Sequence, residues 1–313
     1  MYDARTVIIL NGARDWDRAH KSFSKPALAG DQPTTTSDYH MGKFFCWRTE
    51  RLTEGTELLS FMELMGRLGD EPRSFIVPGH PMPWLVPGEL IHRRKVFIDA
   101  PLEVQLLKLD VDGWETGIEW WESEDKLRLA LHTCFAQRGL DYLCTQEMVV
   151  VLSQGAWPGH DLRCRVYFWL TTPITLDDLR RWAKVVNSRL AETRGLDPIV
   201  YGQVHIDYTA KRQCVDFPDP FPESLRLTLT PPDELALSVE NAYDGIAREL
   251  AEAPATITSS ELPEDFDHTG DGWDMLKQTG RNDSMNTWGY RAAAKIVRAE
   301  GKAFVEANID ELA

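Results

Sequence analysis

Three observations predict a mixed α/β fold for this 313-residue chain. Short apolar runs rich in Val, Ile, Phe and Trp recur along residues 1–250, and segments with apolar residues every three or four positions lie between them. After Ala251 the composition changes to a Pro, Thr and Ser stretch and then an acidic one. The chain therefore reads as one α/β unit over residues 1–250, an acidic linker over 251–274 and a small helical appendage over 275–313. Its 43% hydrophobic content, with 11 Trp and 12 Phe, is enough to fill a core.

The elements follow in order. Thr6 to Leu10 and Lys43 to Trp47 read as strands, separated by a polar loop that includes Pro33 to Ser37. Thr56 to Leu68 is an amphipathic helix with Leu58, Leu59, Phe61, Met62, Met65 and Leu68 apolar. A strand at Ser74 to Val77 precedes a Pro-rich loop that runs through Pro87, and Ser123 to Gln137 is a second helix. Glu147 to Ser153 and Leu162 to Leu170 are strands flanking a hairpin-like loop, Gln154 to Asp161. Thr175 opens a third helix as N-cap, with Asp177 and Asp178 in its first turn and Gly195 available to end it. Helical signals return at Gly280 to Val297 and Lys302 to Leu312.

Chemistry concentrates at Leu106 to Trp114. Strand alternation puts Lys108, Asp110 and Asp112 on one face. Two neighbouring carboxylates resist joint ionisation unless a cation holds them together, and hard oxygen ligands suit magnesium or manganese. A calcium loop is excluded by spacing, because Gly113 stands fourth and Trp121 twelfth from Asp110 where that motif needs Gly sixth and Glu twelfth. In the strand from Leu162, alternation sets Arg163, Arg165, Tyr167 and Trp169 on one face; two guanidiniums there call for an anion. Asp197 supplies a third carboxylate where the chain re-enters the sheet, with Asp207 as the alternative in His205-Ile206-Asp207-Tyr208, which also alternates like a strand.

This ordered set resembles the archaeo-eukaryotic primase superfamily, in the branch of primase-polymerases of phages, plasmids and integrated elements. The matching positions are Asp110-Val111-Asp112, then Ser153 with Arg163 and Arg165, then Leu196-Asp197. Arg93-Arg94-Lys95, Tyr208-Thr209-Ala210 and Asp219-Pro220 extend the likeness over roughly residues 55–230. The resemblance implies a primase-type domain made of an α/β module and an RRM-like module. It also implies template-directed nucleotidyl transfer with two divalent ions, Mg2+ or Mn2+, held by Asp110, Asp112 and Asp197. Ser153, Arg163 and Arg165 would bind the incoming nucleotide, with His205 and Lys211 as further contacts. The implied partners are single-stranded DNA, nucleoside triphosphates and a separate or missing helicase, since the chain has no P-loop. One position departs from the family: its second motif usually carries His where this chain has Arg165. Arg keeps phosphate binding but removes any role of a neutral imidazole.

Other classes leave their marks too. A net charge of -15 argues for weak non-specific DNA binding, although the acidic excess is concentrated between Glu249 and Asp274. It also supports a rival reading as a non-catalytic DNA- or nucleotide-binding protein of the same fold; a two-metal nuclease is a second rival. Five unpaired-looking cysteines and the lack of a membrane-length run predict a reduced, cytoplasmic protein. No zinc is expected, because His132, Cys134 and Cys144 lack a paired Cys-x-x-Cys.

Overall fold

The computed structural model describes residues 3–14, 17–25, 33–39, 44–92, 98–99, 103–190, 195–232 and 240–254. The first half runs β1 (Thr6–Gly12), β2 (Ser22–Ser24), β3 (Thr34–Ser37), β4 (Phe44–Arg51), α1 (Glu57–Gly69), β5 (Ser74–Val77), β6 (His80–Pro81), β7 (Leu90–His92) and β8 (Ile98–Asp99). The second half runs β9 (Val104–Trp114), α2 (Glu124–Ala136), β10 (Met148–Leu152), β11 (Leu162–Ile174), α3 (Leu176–Ser188), β12 (Asp207–Tyr208), β13 (Gln213–Cys214), α4 (Glu223–Arg226), β14 (Leu227–Thr230) and α5 (Ala242–Glu252). The fold is mixed α/β.

The first sheet is an antiparallel array in the order β12-β5-β1-β4-β7, and its central strands β1 and β5 are buried on both faces. Ile8 and Leu10 join Phe45, Trp47, Phe75 and Val77 in one core, while Val7, Ile9 and Ile76 on the opposite face pack with α1. The second sheet has the order β14-β10-β11-β9, with every neighbouring pair antiparallel. Its outer face, including Leu107, Leu109, Val111, Val166 and Phe168, is covered by α2, α3 and α5. The inner face carries Val149 and Tyr167 into the core that α1 shares with the first sheet. That helix therefore packs against both sheets, and the polar residues of β9 and β11 look into the space beside it.

Capping explains the helix starts. Thr175 Oγ1 accepts from the Asp178 N–H at 3.0 Å, and Ser123 Oγ from the Lys126 N–H at 3.2 Å. Each such cap stabilises its helix by ~1 kcal/mol. Two expectations need correcting. Pro33 to Ser37, expected as loop, contains β3, which pairs with β2 because extended Thr residues can fill an edge strand. The third helix stops at Ser188, well before Gly195, and the Asn187 amide bonds the backbone N and O of Leu196, both at 2.7 Å. The basic run Arg93 to Lys95, most of the expected linker and the helical appendage lie outside the described residues. No helix among the described residues is long and apolar enough to cross a membrane.

Candidate carboxylate and arginine site

Register brings the two charged strand faces together. In the β9–β11 pairing Asp110 stands opposite Arg165 and Asp112 opposite Arg163. Arg163 Nη1 lies 3.1 Å from Asp112 Oδ1, near the solvent end, and Arg165 Nε lies 3.7 Å from Asp110 Oδ1 deeper in. Cross-strand pairs of opposite charge stabilise a sheet modestly, by roughly 0.2–1 kcal/mol each. The antiparallel register thus converts two sequence motifs fifty-odd positions apart into one charged patch.

The third carboxylate comes from the other sheet. β12 places Asp207 under this patch, with Oδ1 2.7 Å from Arg165 Nε and Oδ2 3.3 Å from Lys108 Nζ. Tyr167 donates its hydroxyl to Oδ2 at 2.6 Å, while Oδ1 is ion-paired without a well-aligned hydrogen bond. Arg165 also donates Nη1 to the Tyr208 carbonyl at 2.8 Å, so this side chain ties β11 to β12.

Burial and charge set the protonation states. Burial works against ionisation of Asp207, but Lys108, Arg165 and the Tyr167 hydroxyl outweigh it and hold its carboxyl below the usual range. Asp110 moves the other way: burial raises it, Arg165 opposes, and Asp207 adds repulsion. Burial also lowers the Lys108 ammonium, with Asp207 resisting. The cluster is a closely balanced group of opposite charges in a poorly solvated space.

The other expected residues fall in different places. Asp197 caps the short 3-10 turn Pro198–Tyr201, accepting from the Ile199 N–H at 2.9 Å. It is not among the carboxylates paired with Lys108, Arg163 or Arg165. Among the described residues no group of three or more His, Cys, Asp or Glu side chains is positioned to hold a metal ion, whether Asp197 or Asp207 is taken with Asp110 and Asp112. The carboxylate that meets Arg165 beside Asp110 is Asp207. Ser153 follows β10, its N–H donating to the Arg163 carbonyl at 3.0 Å. With Arg165, Tyr208, Thr209 and Lys211 it lines one small cavity of about 30 Å³. Lys211 Nζ lies 2.9 Å from both Asp70 and Glu223, and His205 follows the 3-10 turn, its N–H bonded to the Gly202 carbonyl.

Some members had no assigned role in the sequence. Lys108 was visible on the Asp110 face, but the burial that makes it a partner of Asp207 depends on the second sheet. Gln154 is likewise buried, its Nε2 donating to the carbonyls of Ala19 at 3.0 Å and Ala210 at 2.6 Å, while its Oε1 accepts from the Lys21 N–H. The one available signal was its position immediately after Ser153. No protein-family model, curated protein or solved structure matches the chain.

Three carboxylates offer hard oxygen donors of the type divalent ions prefer, and Asp207 Oδ1 is a buried acceptor lacking a good hydrogen bond. In donor chemistry Asp110, Asp112 and Asp207 suit Mg2+ or Mn2+, although as placed the three do not form a metal-holding group. In charge they are already matched by Arg163, Arg165 and Lys108.

Proposed function

We propose that the chain is a primase-polymerase that adds nucleotides to a template-bound 3'-hydroxyl. The observation that carries this reading is that Asp110 and Asp207, delivered from different sheets, share Arg165, with the Asp112–Arg163 pair next along β9 and β11. The topology supports it in part. β9, α2 and β10 form a split β-α-β unit with β11 inserted between the strands, as in an RRM-like module. The last strand, β14, pairs with β10, whereas an RRM places its last strand beside the first.

Divalent ions held by Asp110, Asp112 and Asp207 would lower the pKa of the attacking hydroxyl and neutralise the departing pyrophosphate. The protein's own groups have separate tasks. Arg163, less buried than Arg165, can turn from Asp112 to a phosphate oxygen. Arg165 fixes the position of Asp207 and the Tyr208 backbone, and the Ser153 and Lys211 cavity offers shorter-range contacts to a phosphate tail. Single-stranded DNA, nucleoside triphosphates, a separate helicase and a cytoplasmic location belong to the same proposal.

A second reading is favoured by one observation: every carboxylate of the site already has a basic partner, as a binding protein without catalysis would retain. Incubation with a DNA template, labelled nucleotides and manganese decides between them. Incorporation is expected from the parent and should disappear in Asp110→Asn, Asp112→Asn and Asp207→Asn. Asp197→Asn should keep it, since Asn caps a helical turn as well as Asp. Shortened template would indicate a nuclease, and binding without either product would leave the non-catalytic reading.

A further inference from the structure

Tyr39 and Tyr208 lie face to face beside the site, with ring centroids 3.9 Å apart and planes 2° from parallel. Aromatic side chains usually settle with centroids about 4.5–7 Å apart, offset or edge-on. This pair overlaps more closely than that. Lys21 Nζ lies over the Tyr39 ring, 4.8 Å from its centroid, and pairs with Asp38 at 3.2 Å. Tyr39 thus fills a flat slot with the Tyr208 ring as one wall and an ammonium against it.

The wall is firmly held. Tyr208 belongs to β12, its carbonyl accepts from Arg165, and its ring tilts against Phe75 at 6.3 Å. Tyr39 comes from the short segment after β3, and its neighbours Thr34 to Thr36 and Asp38 are exposed. Burial pushes the Tyr39 hydroxyl up to about 12, with Arg165 opposing and Asp110 adding to the rise, so the ring is neutral at physiological pH. Tyr208 also borders the small cavity lined by Ser153, Arg165 and Lys211.

We propose that Tyr39 occupies the seat of a nucleobase: Tyr208 is the platform on which the base of a nucleoside triphosphate stacks, and Tyr39 withdraws when the base enters. The proposal rests on the nucleotide reading of this site. A neutral planar ring between an aromatic face and a cation is what every base can imitate, independent of its hydrogen-bonding edge. The adjacent Ser153, Arg165 and Lys211 suit the phosphate tail of the same molecule. An occupied seat lowers apparent affinity by the fraction of molecules in which it is filled, so Tyr39 acts as a built-in competitor.

Equilibrium binding of dATP to the full chain tests this, with inorganic tripolyphosphate measured in parallel because it carries the charges without the base. Tyr39→Ala should bind dATP about threefold or more tightly than the parent, with tripolyphosphate unchanged. Asp38→Ala, which frees Lys21 and removes the carboxylate that accepts from the Tyr39 backbone N–H at 2.8 Å, should shift dATP affinity in the same direction. Tyr208→Leu should weaken dATP by at least about fivefold, in line with the loss of one stacking contact, and leave tripolyphosphate alone. Thermal unfolding of each variant shows that it is folded. Unchanged or weaker dATP binding by both Tyr39→Ala and Asp38→Ala, equal shifts for the two ligands, or no dATP binding by any form overturns the proposal. Turnover is not needed for any of these readings. A parent that binds dATP in this pattern yet incorporates nothing refutes the polymerase and keeps the slot; incorporation with Tyr39 inert does the reverse.

Discussion

Asp110 and Asp207 share one guanidinium, yet their surroundings move them in opposite directions, and that difference has measurable consequences. Asp207 is held low by Lys108, Arg165 and Tyr167 against the effect of burial, so it contributes stability that is complete above the ordinary aspartate value of 3.8. The contribution is lost as pH falls through its lower native value. Asp207→Asn leaves two buried cations short of a partner and should cost about 3 kcal/mol, read as a lower denaturation midpoint at pH 7 that converges on the parent in acid. Asp110, raised chiefly by burial, costs stability above its native pKa. Asp110→Asn should therefore melt no lower than the parent at pH 7, and a clear drop in the melting temperature would contradict the assigned direction. At this scale the sequence revealed Asp110, Asp112, Arg163 and Arg165, because strand alternation is local. Strand alternation around His205 to Tyr208 offered Asp207 only as an alternative to Asp197; that it is Asp207 which meets Arg165 depends on β12 joining the other sheet, and no local pattern contains that information.

Among the elements, helix α5 shows how a residue of poor intrinsic propensity can still be the right one. Gly245 stands where an added Cβ would come within 2.4 Å of the Tyr142 ring, while Glu249 one turn on accepts from Trp182 Nε1 at 2.8 Å and pairs with Arg189 at 2.9 Å. Replacing a helical Gly by Ala gains about 1 kcal/mol of propensity, whereas forcing a methyl into a packed contact costs about 1–3 kcal/mol. Gly245→Ala should on balance lower stability, by about 1 kcal/mol, in a denaturant titration of the whole chain. Helix starts were legible because Ser123 and Thr175 advertise their caps. The end of α3 was not, because Asn187 holds the returning chain with side-chain bonds to Leu196, and Gly195 serves by leaving room for that amide, which an added Cβ would overlap, and not as the residue that ends the helix. β3 was missed for a related reason: an exposed edge strand of Thr and Ser lacks the apolar alternation by which strands are recognised.

For the whole molecule, the acidic balance and the position of the site set the terms. A chain of net charge -15 gains little from non-specific attraction to a polyanion, so gripping a template should depend on a few placed cations. Initiation, which has no annealed primer to add affinity, should feel this most. Truncation near Ala255 removes Arg281, Arg291, Lys295, Arg298 and Lys302. It should abolish primer synthesis while sparing much primer extension, and equal loss of both by a folded truncation product would place those residues in the working core. The α/β class was readable from interleaved periods; the packing of α1 against both sheets, which sets the space beside the site, was not, because it joins residues far apart in the chain.

The thirteen residues of β11 carry apolar side chains toward α2, α3 and α5 and charged ones toward Asp110 and Asp112. Length changes along this strand are therefore filtered by parity. A one-residue insertion between Leu162 and Trp169 would exchange the two faces, presenting Cys164 and Val166 to the carboxylates and sending guanidiniums into the core. A two-residue change preserves the alternation but shifts each arginine to a new partner across the ladder. The loop from Gln154 to Asp161 is free of that parity, but Gln154, Ala156 and Trp157 are buried and Arg212 donates to the Ala156 carbonyl at 2.6 Å while lying over the Trp157 ring, so a change of length is best absorbed past Trp157 and not within the strand.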